Sequence, residues 1–403
     1  IVADGSPTAP ITFTAFSDAV LGTAGPEDVS LWGGMQINGN GITNNCTDAE
    51  RAGNMCHVLT EGQPSNYGGG NNAESSGTLR YTVIKHSGFE VAPGDELNGV
   101  TFNGVGSGTT VFSTEVYSTF DDGYEFFGGA VAVEKFVALY VRDDSIDYSD
   151  GWAGSMTDAL VIHSLGDGNR CIEADNIGSG RSDGGEPLIT APITNPTITG
   201  LTCIPSSNDN GTHGDSEGVL LRLGARSQVS NMLVFGGYGE AANATGSNEC
   251  LEFDEAETRQ GAQDGNTTFK ASVIACSLPT QDALPNGDSI TAYFTNTSGA
   301  GADYAFNTVT FDADGDAATA DVTQANVIIT DVNNANVSIL AAGDFRTAGF
   351  NADANTTTVT DAAGNAVIFP GRLGAVSTTD DWTTGWTFGL NAANRAQKLY
   401  FNP

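Results

Sequence analysis

The sequence predicts an all-β chain wound as a right-handed parallel β-helix, a solenoid with projecting loops. Three observations carry that reading. Short runs of β-branched and aromatic residues recur, each closed by Gly, Asp, Asn or Ser. The pairs Asp121-Asp122 and Asp143-Asp144 lie 22 residues apart, and the Asp167-Gly168 turn follows about one such interval later. Helical periodicity is almost absent, and glycine is everywhere. A period in the low twenties with strand–turn–strand content is what one coil requires. A coil cannot bury its own apolar face, so neighbours stack and share a core. A β-sandwich also gives short strands and turns, but it does not explain turn motifs recurring in register.

Taken in order, the chain begins at Ile1 with no Met and no apolar leader, which points to a leader removed or outside this sequence. It runs through VADGSPTAP into ITFTAF, where Ile11, Phe13 and Phe16 are available for packing. No amphipathic cap precedes this first coil, so end-to-end self-association into a filament is an expectation. Covering by a lost leader or by the C-terminal segment is the alternative. TLRYTVIKHSG, LNGVTFNGVGSG, TTVFSTEVYSTFDDG, EKFVALYVRDDS and TDALVIHSLGDG follow as strand–turn units. Residues 177–196 and 205–217, rich in Gly, Pro, Ser and Asn, read as loops leaving the wall. From about residue 280 the chain turns to Ala, Thr and Asn. Residues 1–280 are therefore assigned to the β-helix, and 281–403 to its last coils or a C-terminal β cap.

Composition excludes several classes. The 403 residues carry 15 Lys+Arg against 49 Asp+Glu, a net charge of −34. That opposes nucleic acid and anionic membranes. Nothing is long and apolar enough for a membrane span. With 39% hydrophobic residues and 20 Phe, the chain is no disordered acidic tail. The six cysteines lack zinc-site spacing. Proximity pairs Cys46 with Cys56, and similar contexts pair Cys171 with Cys203 and Cys250 with Cys276, out of 15 possible arrangements.

The stretch from SGTLRYTVIKHSGFEVAPGDELNGVTFNGVGSGTTV through DDGYEFFGGAV, DDSIDYSDGWAG and NRCIEADN resembles a family of secreted or lipid-anchored bacterial surface proteins. ADGSPTAPITFTA, WGGMQINGN and DDWTTGWTFGL are similar to the same family. The resemblance implies a right-handed parallel β-helix and a secreted or cell-surface location. It carries no catalytic residue.

Chemistry concentrates in an acidic ladder. DDGYE supplies Asp121, Asp122 and Glu125, and DDSIDYSD supplies Asp143, Asp144, Asp147 and Asp150. GDGNRCIEAD adds Asp167, Glu173 and Asp175. Coils stack about 4.8 Å apart, where unscreened carboxylates repel one another. Ca²⁺, with its six to eight oxygen ligands, is one answer. Turn capping by Asp and Asn is the other, and both stay open. Asp312, Asp314 and Asp316 in DADGD form a second candidate, but Thr323 stands where a calcium loop needs Glu, and an acidic turn is the simpler reading. Zinc and copper are not expected, because His57, His86, His163 and His213 lack ligand spacing in the chain.

A polysaccharide-active enzyme is the rival. Paired aspartates, then His213, then Arg222 parallel the order found in galacturonan hydrolases of this fold, but nine residues separate the last two and the lysine is missing. Arg142 and Arg170 flank the ladder as candidate bases, or more simply as ion-pair partners. Of the four tryptophans Trp152 is the best placed to stack on a sugar, although a core or coil-end plug is the simpler reading. The sequence thus reads as a calcium-stabilised surface β-helix with a structural or adhesive role.

Overall fold

The computed structural model describes residues 1–312 apart from short breaks at 63, 165, 207–210, 215, 236–249, 271, 276–282, 305–306 and 308. It also describes 358–360, 366–368, 374–376 and 381–390. Two long parallel sheets, of 12 and seven strands, dominate the chain. The first stacks Val2–Asp4 and Ile11–Phe13, Thr78–Ser87, Thr110–Thr119, Ala132–Leu139, Ser155–Ile162 and Thr197–Ile204, then shorter strands as far as Val309–Asp312. The second stacks Met35–Asn38, Val100–Asn103, Tyr124–Phe127, Ile146–Ser149, Arg170–Ala174, Glu217–Leu221 and Leu251–Phe253. The expected parallel β-helix is what the chain forms.

The strands of the first sheet are bent. Tyr81, Ser113, Lys135, Asp158, Gly200 and Asn231 all have positive φ at equivalent places, and the ladder skips most of them. This left-handed column turns one long strand per coil into two faces, so three faces enclose the core. Only the central coils keep the short period. Thr110 faces Ala132, Ala132 faces Ser155, and Tyr124 faces Ile146, steps of 22, 23 and 22 residues. Elsewhere loops enlarge the coil, as where Ser155 faces Thr197, a step of 42.

Inside, Phe102, Phe126 and Tyr148 occupy one register row, with Phe102 stacked on Phe126 at 5.1 Å. Trp152 does not reach solvent. It is fully buried and stacks on Phe126 at 4.2 Å, which removes it as a sugar platform. The outer face of the first sheet is buried too. Val83, Glu115, Val137, Leu160, Thr202 and Leu233 form a nearly solvent-free row across its coils. A parallel sheet needs cover on both faces. Residues 374–376 and 381–390 supply it, lying back over the coils. Ala375 N donates to Thr202 Oγ1 at 2.9 Å, Trp386 meets Tyr81 at 5.8 Å, and Phe388 N donates to Glu115 Oε2 at 2.7 Å. Trp382 and Trp386 are buried there, so they also present no open ring.

Cys46–Cys56 and Cys171–Cys203 are disulfides, as paired from the sequence. Cys250 is disulfide-bonded, and Cys276 lies outside the described residues. So do Asp314 and Asp316, while Asp312 ends a strand of the first sheet.

Two predictions follow from the core. Trp152→Ala should cost about 3–5 kcal/mol by denaturant titration, because the stacked row cannot collapse into the gap. His163, fully buried between Ser145 and Ser216, has its pKa pushed down to about 4 by burial. An unfolded histidine binds its proton near pH 6.5, so stability from the neutral ring is present above that pH and lost as pH falls toward 4. Relative to His163→Gln, the wild type should lose about 3 kcal/mol over this window, measured by urea midpoints across pH.

Candidate functional site

The second sheet carries the site on its outer side. Strand alternation that sends Phe102, Phe126 and Tyr148 inward sends Thr101, Glu125, Asp147 and Glu173 outward, paired in register coil upon coil. The turn before these strands adds a second column. Asn98 Oδ1 accepts from Asp122 N, and Asp122 Oδ1 accepts from Asp144 N, each at 3.1 Å. Close stacking here demands glycine. A Cβ on Gly99 would sit 2.6 Å from Gly123 O, and one on Gly123 would sit 2.5 Å from Ser145 O. Thus the turn motif DDG fixes both the spacing and the acid.

The columns open into a cavity of about 290 Å³ lined by nine carboxyl groups, two arginines, one histidine and two asparagines. Asp121, Asp122, Glu125, Asp143, Asp144, Asp147 and Glu173 from the ladder all reach it. The positive groups are already committed. Arg170 binds Glu217 at 2.9 Å and Glu173 at 2.8 Å, and Arg222 binds Asp175 at 2.9 Å and also Glu173. His213 Nδ1 is 3.1 Å from Asp143 Oδ2, and its Nε2 is 2.9 Å from Phe120 O. The carbonyl of Phe120 only accepts, so Nε2 carries a proton, and the Asp143 carboxyl beside Nδ1 outweighs burial and raises the ring's pKa.

Toward the other end of the ladder, among the described residues, no arginine or lysine forms an ion pair with Asp121, Asp122, Glu125, Asp144 or Asp147, and Arg170 and Arg222 only partly offset the effect on Asp144 and Asp147. Burial, followed by neighbouring carboxylates, pushes Asp122, Glu125, Asp144 and Asp147 well above the usual carboxylate range, and Asp121 to about 10. Asp144 Oδ1 and Asp147 Oδ1 are buried without a hydrogen-bond partner. Three groups hold ligand atoms within 4.8 Å of one another: Asp122, Glu125 and Asp147; Asp122, Asp143 and Asp144; and Asp121, Asp143 and His213.

Three ladder residues serve other ends. Asp150 occupies a left-handed corner and binds Arg181 at 2.7 Å, together with Asn45. Asp167 ties down the loop of His213, accepting from Thr212 N at 2.7 Å and Thr212 Oγ1 at 2.6 Å. Asp175 pairs with Arg222. Reading by sequence missed Glu61, which enters from a loop, and Glu96, which enters from the short strand Asp95–Leu97 of a projecting hairpin. It also missed Asn98, although aligning NGVTF with DGYEF would have found it. His213 and Arg222, set aside because nine residues separate them, line the same cavity. The enlarged coil supplies one from its loop and the other from the end of its strand.

A stacked parallel solenoid with a carboxylate-lined cavity on its flank defines the β-helix class. Residues 1–310 match the family described as the pectate-lyase-like β-helix domain, and the chain belongs to it. No curated protein and no solved structure matches the chain.

If like-charge crowding strains the cavity, Asp144→Asn should stabilise the cation-free protein by about 1–2 kcal/mol, since an amide needs no counter-charge. Urea denaturation in chelator measures it.

Proposed function

We propose that the protein is an extracellular or cell-surface β-helix stabilised by Ca²⁺, with a structural or adhesive role. The observation that carries this reading is the pair of buried, unpartnered oxygens, Asp144 Oδ1 and Asp147 Oδ1, among converging carboxylates. Carboxyl groups withdrawn from water and crowded by their like ionise only where a cation supplies the counter-charge. A hard cation with six to eight oxygen ligands suits the groups around Asp122, and it would cross-link successive coils. Such a ligand is seen by the native state alone and stabilises by mass action. The disulfides fit an oxidising compartment. Self-association belongs to the same reading: Val2, Phe16, Val20 and Leu21 at the first coil are exposed, and an end-to-end contact would use them.

Polysaccharide cleavage is the second reading, favoured by the meeting of paired aspartates with His213 and Arg222. The committed contacts weigh against a lyase-type reaction, because His213, Arg170 and Arg222 are each held by carboxylates rather than directed at open space. The surplus of acid would also repel a polyanion.

Ca²⁺ at about a hundredfold excess over Kd should raise wild-type stability by about 2.7 kcal/mol. Asp147→Asn should abolish most of that gain, read by thermal melts with and without chelator. Equal midpoints for the wild type under both conditions would remove the calcium reading. Release of reducing ends from a panel of glycans would favour the enzyme instead.

A further inference from the structure

We infer that Asp121, Asp143 and His213 form a separate, nitrogen-containing metal subsite that takes Zn²⁺ beside the oxygen-only groups. It rests on reading the cavity as a cation site, but not on calcium being the ion next door. Two ligands on one zinc ion at 2.0–2.2 Å lie roughly 3.0–3.5 Å apart. His213 Nδ1 and Asp143 Oδ2 are 3.1 Å apart, and a carboxylate oxygen of Asp121 completes a group within 4.8 Å.

The ring is held for that task. Its Nε2–H donates to Phe120 O at 2.9 Å, the outer hydrogen bond that metal-ligating histidines usually make, and this leaves Nδ1 facing the carboxylates. The Phe120 ring packs edge-on against it at 5.1 Å, and Asp167 anchors the neighbouring Thr212. Nδ1 is thus the ring atom that faces Asp143 and would meet the ion. An independent sign of a missing cation lies alongside. Asp144, 4% exposed, lines the same cavity, keeps Oδ1 unpartnered, and shares Asp143 as a neighbour in its own candidate group.

Ligand chemistry separates the subsites. Calcium takes oxygen ligands, whereas imidazole with two carboxylates suits a borderline ion such as Zn²⁺. Three protein ligands also leave a coordination position for water. Linear spacing argued against zinc. Stacking removes that objection, because the three residues come from consecutive coils and a tethered loop.

Isothermal titration of the full chain with Zn²⁺ in saturating Ca²⁺ tests the inference. One equivalent should bind, and His213→Gln should weaken it by at least about 10–100-fold, the loss seen when only the support of a ligand is removed. Asp121→Asn, which preserves shape, should do the same, with the calcium-dependent melt of both variants retained as proof of folding. Co²⁺ in place of Zn²⁺ should give visible absorption bands that change in His213→Gln. Undiminished Zn²⁺ binding in both variants, or none in the wild type, overturns the subsite. Zn²⁺ failing while Ca²⁺ still stabilises rejects this inference alone, whereas no response to either ion rejects the cation reading with it.

Discussion

Repulsion between carboxylates held in register is the constraint on which the rest of this structure depends. Parallel stacking puts equivalent residues of successive coils opposite one another, so an acid repeated at one position becomes a row of acids. Glu125, Asp147 and Glu173 form such a row, and Asp122 and Asp144 a second beside it. Hydrophobic burial on the inner side, with Phe102, Phe126, Tyr148 and Trp152 stacked together, holds the rows at a separation their charge opposes. The site is built by the core against its own electrostatics.

The chain answers that repulsion unevenly. From Glu173 onward it places an arginine for nearly every acid, and Arg170 and Arg222 bridge coils as fixed cations. Toward Asp121 and Glu125, among the described residues, it places none, apart from His213 over Asp143. This boundary within one ladder separates a half with fixed counter-charges from a half where the acids face mainly one another. Loops make the boundary possible: the enlarged coil between Thr197 and Gln228 brings in both His213 and Arg222.

Much of this was legible in the residues. The 22-residue spacing of Asp121-Asp122 and Asp143-Asp144 matches the observed register, and alternation within YEFF and IDYS sets which acids face outward. The disulfide between Cys171 and Cys203 follows from paired contexts on neighbouring coils. What stayed hidden depends on loops whose path no periodicity encodes. Glu61 and Glu96 have no repeat to mark them, and His213 is close to Arg222 in sequence for reasons unrelated to coil length. Trp152 follows an acidic turn, yet the next step of the chain points inward, and the core role that was its simpler reading holds.

The strap formed by residues 374–376 and 381–390 changes the mechanics of the fold. An array whose repeats touch only their neighbours comes apart piecemeal from a frayed end. Here contacts from Asn231 and Thr202 to Glu115 and Tyr81 tie late coils to early ones through a segment distant in sequence. Such long-range closure slows folding, since loop entropy is lost before the contact forms. Once fastened, it couples the rungs it crosses, so that a pull on one is borne by several, as in a laced spring rather than a stack of coins.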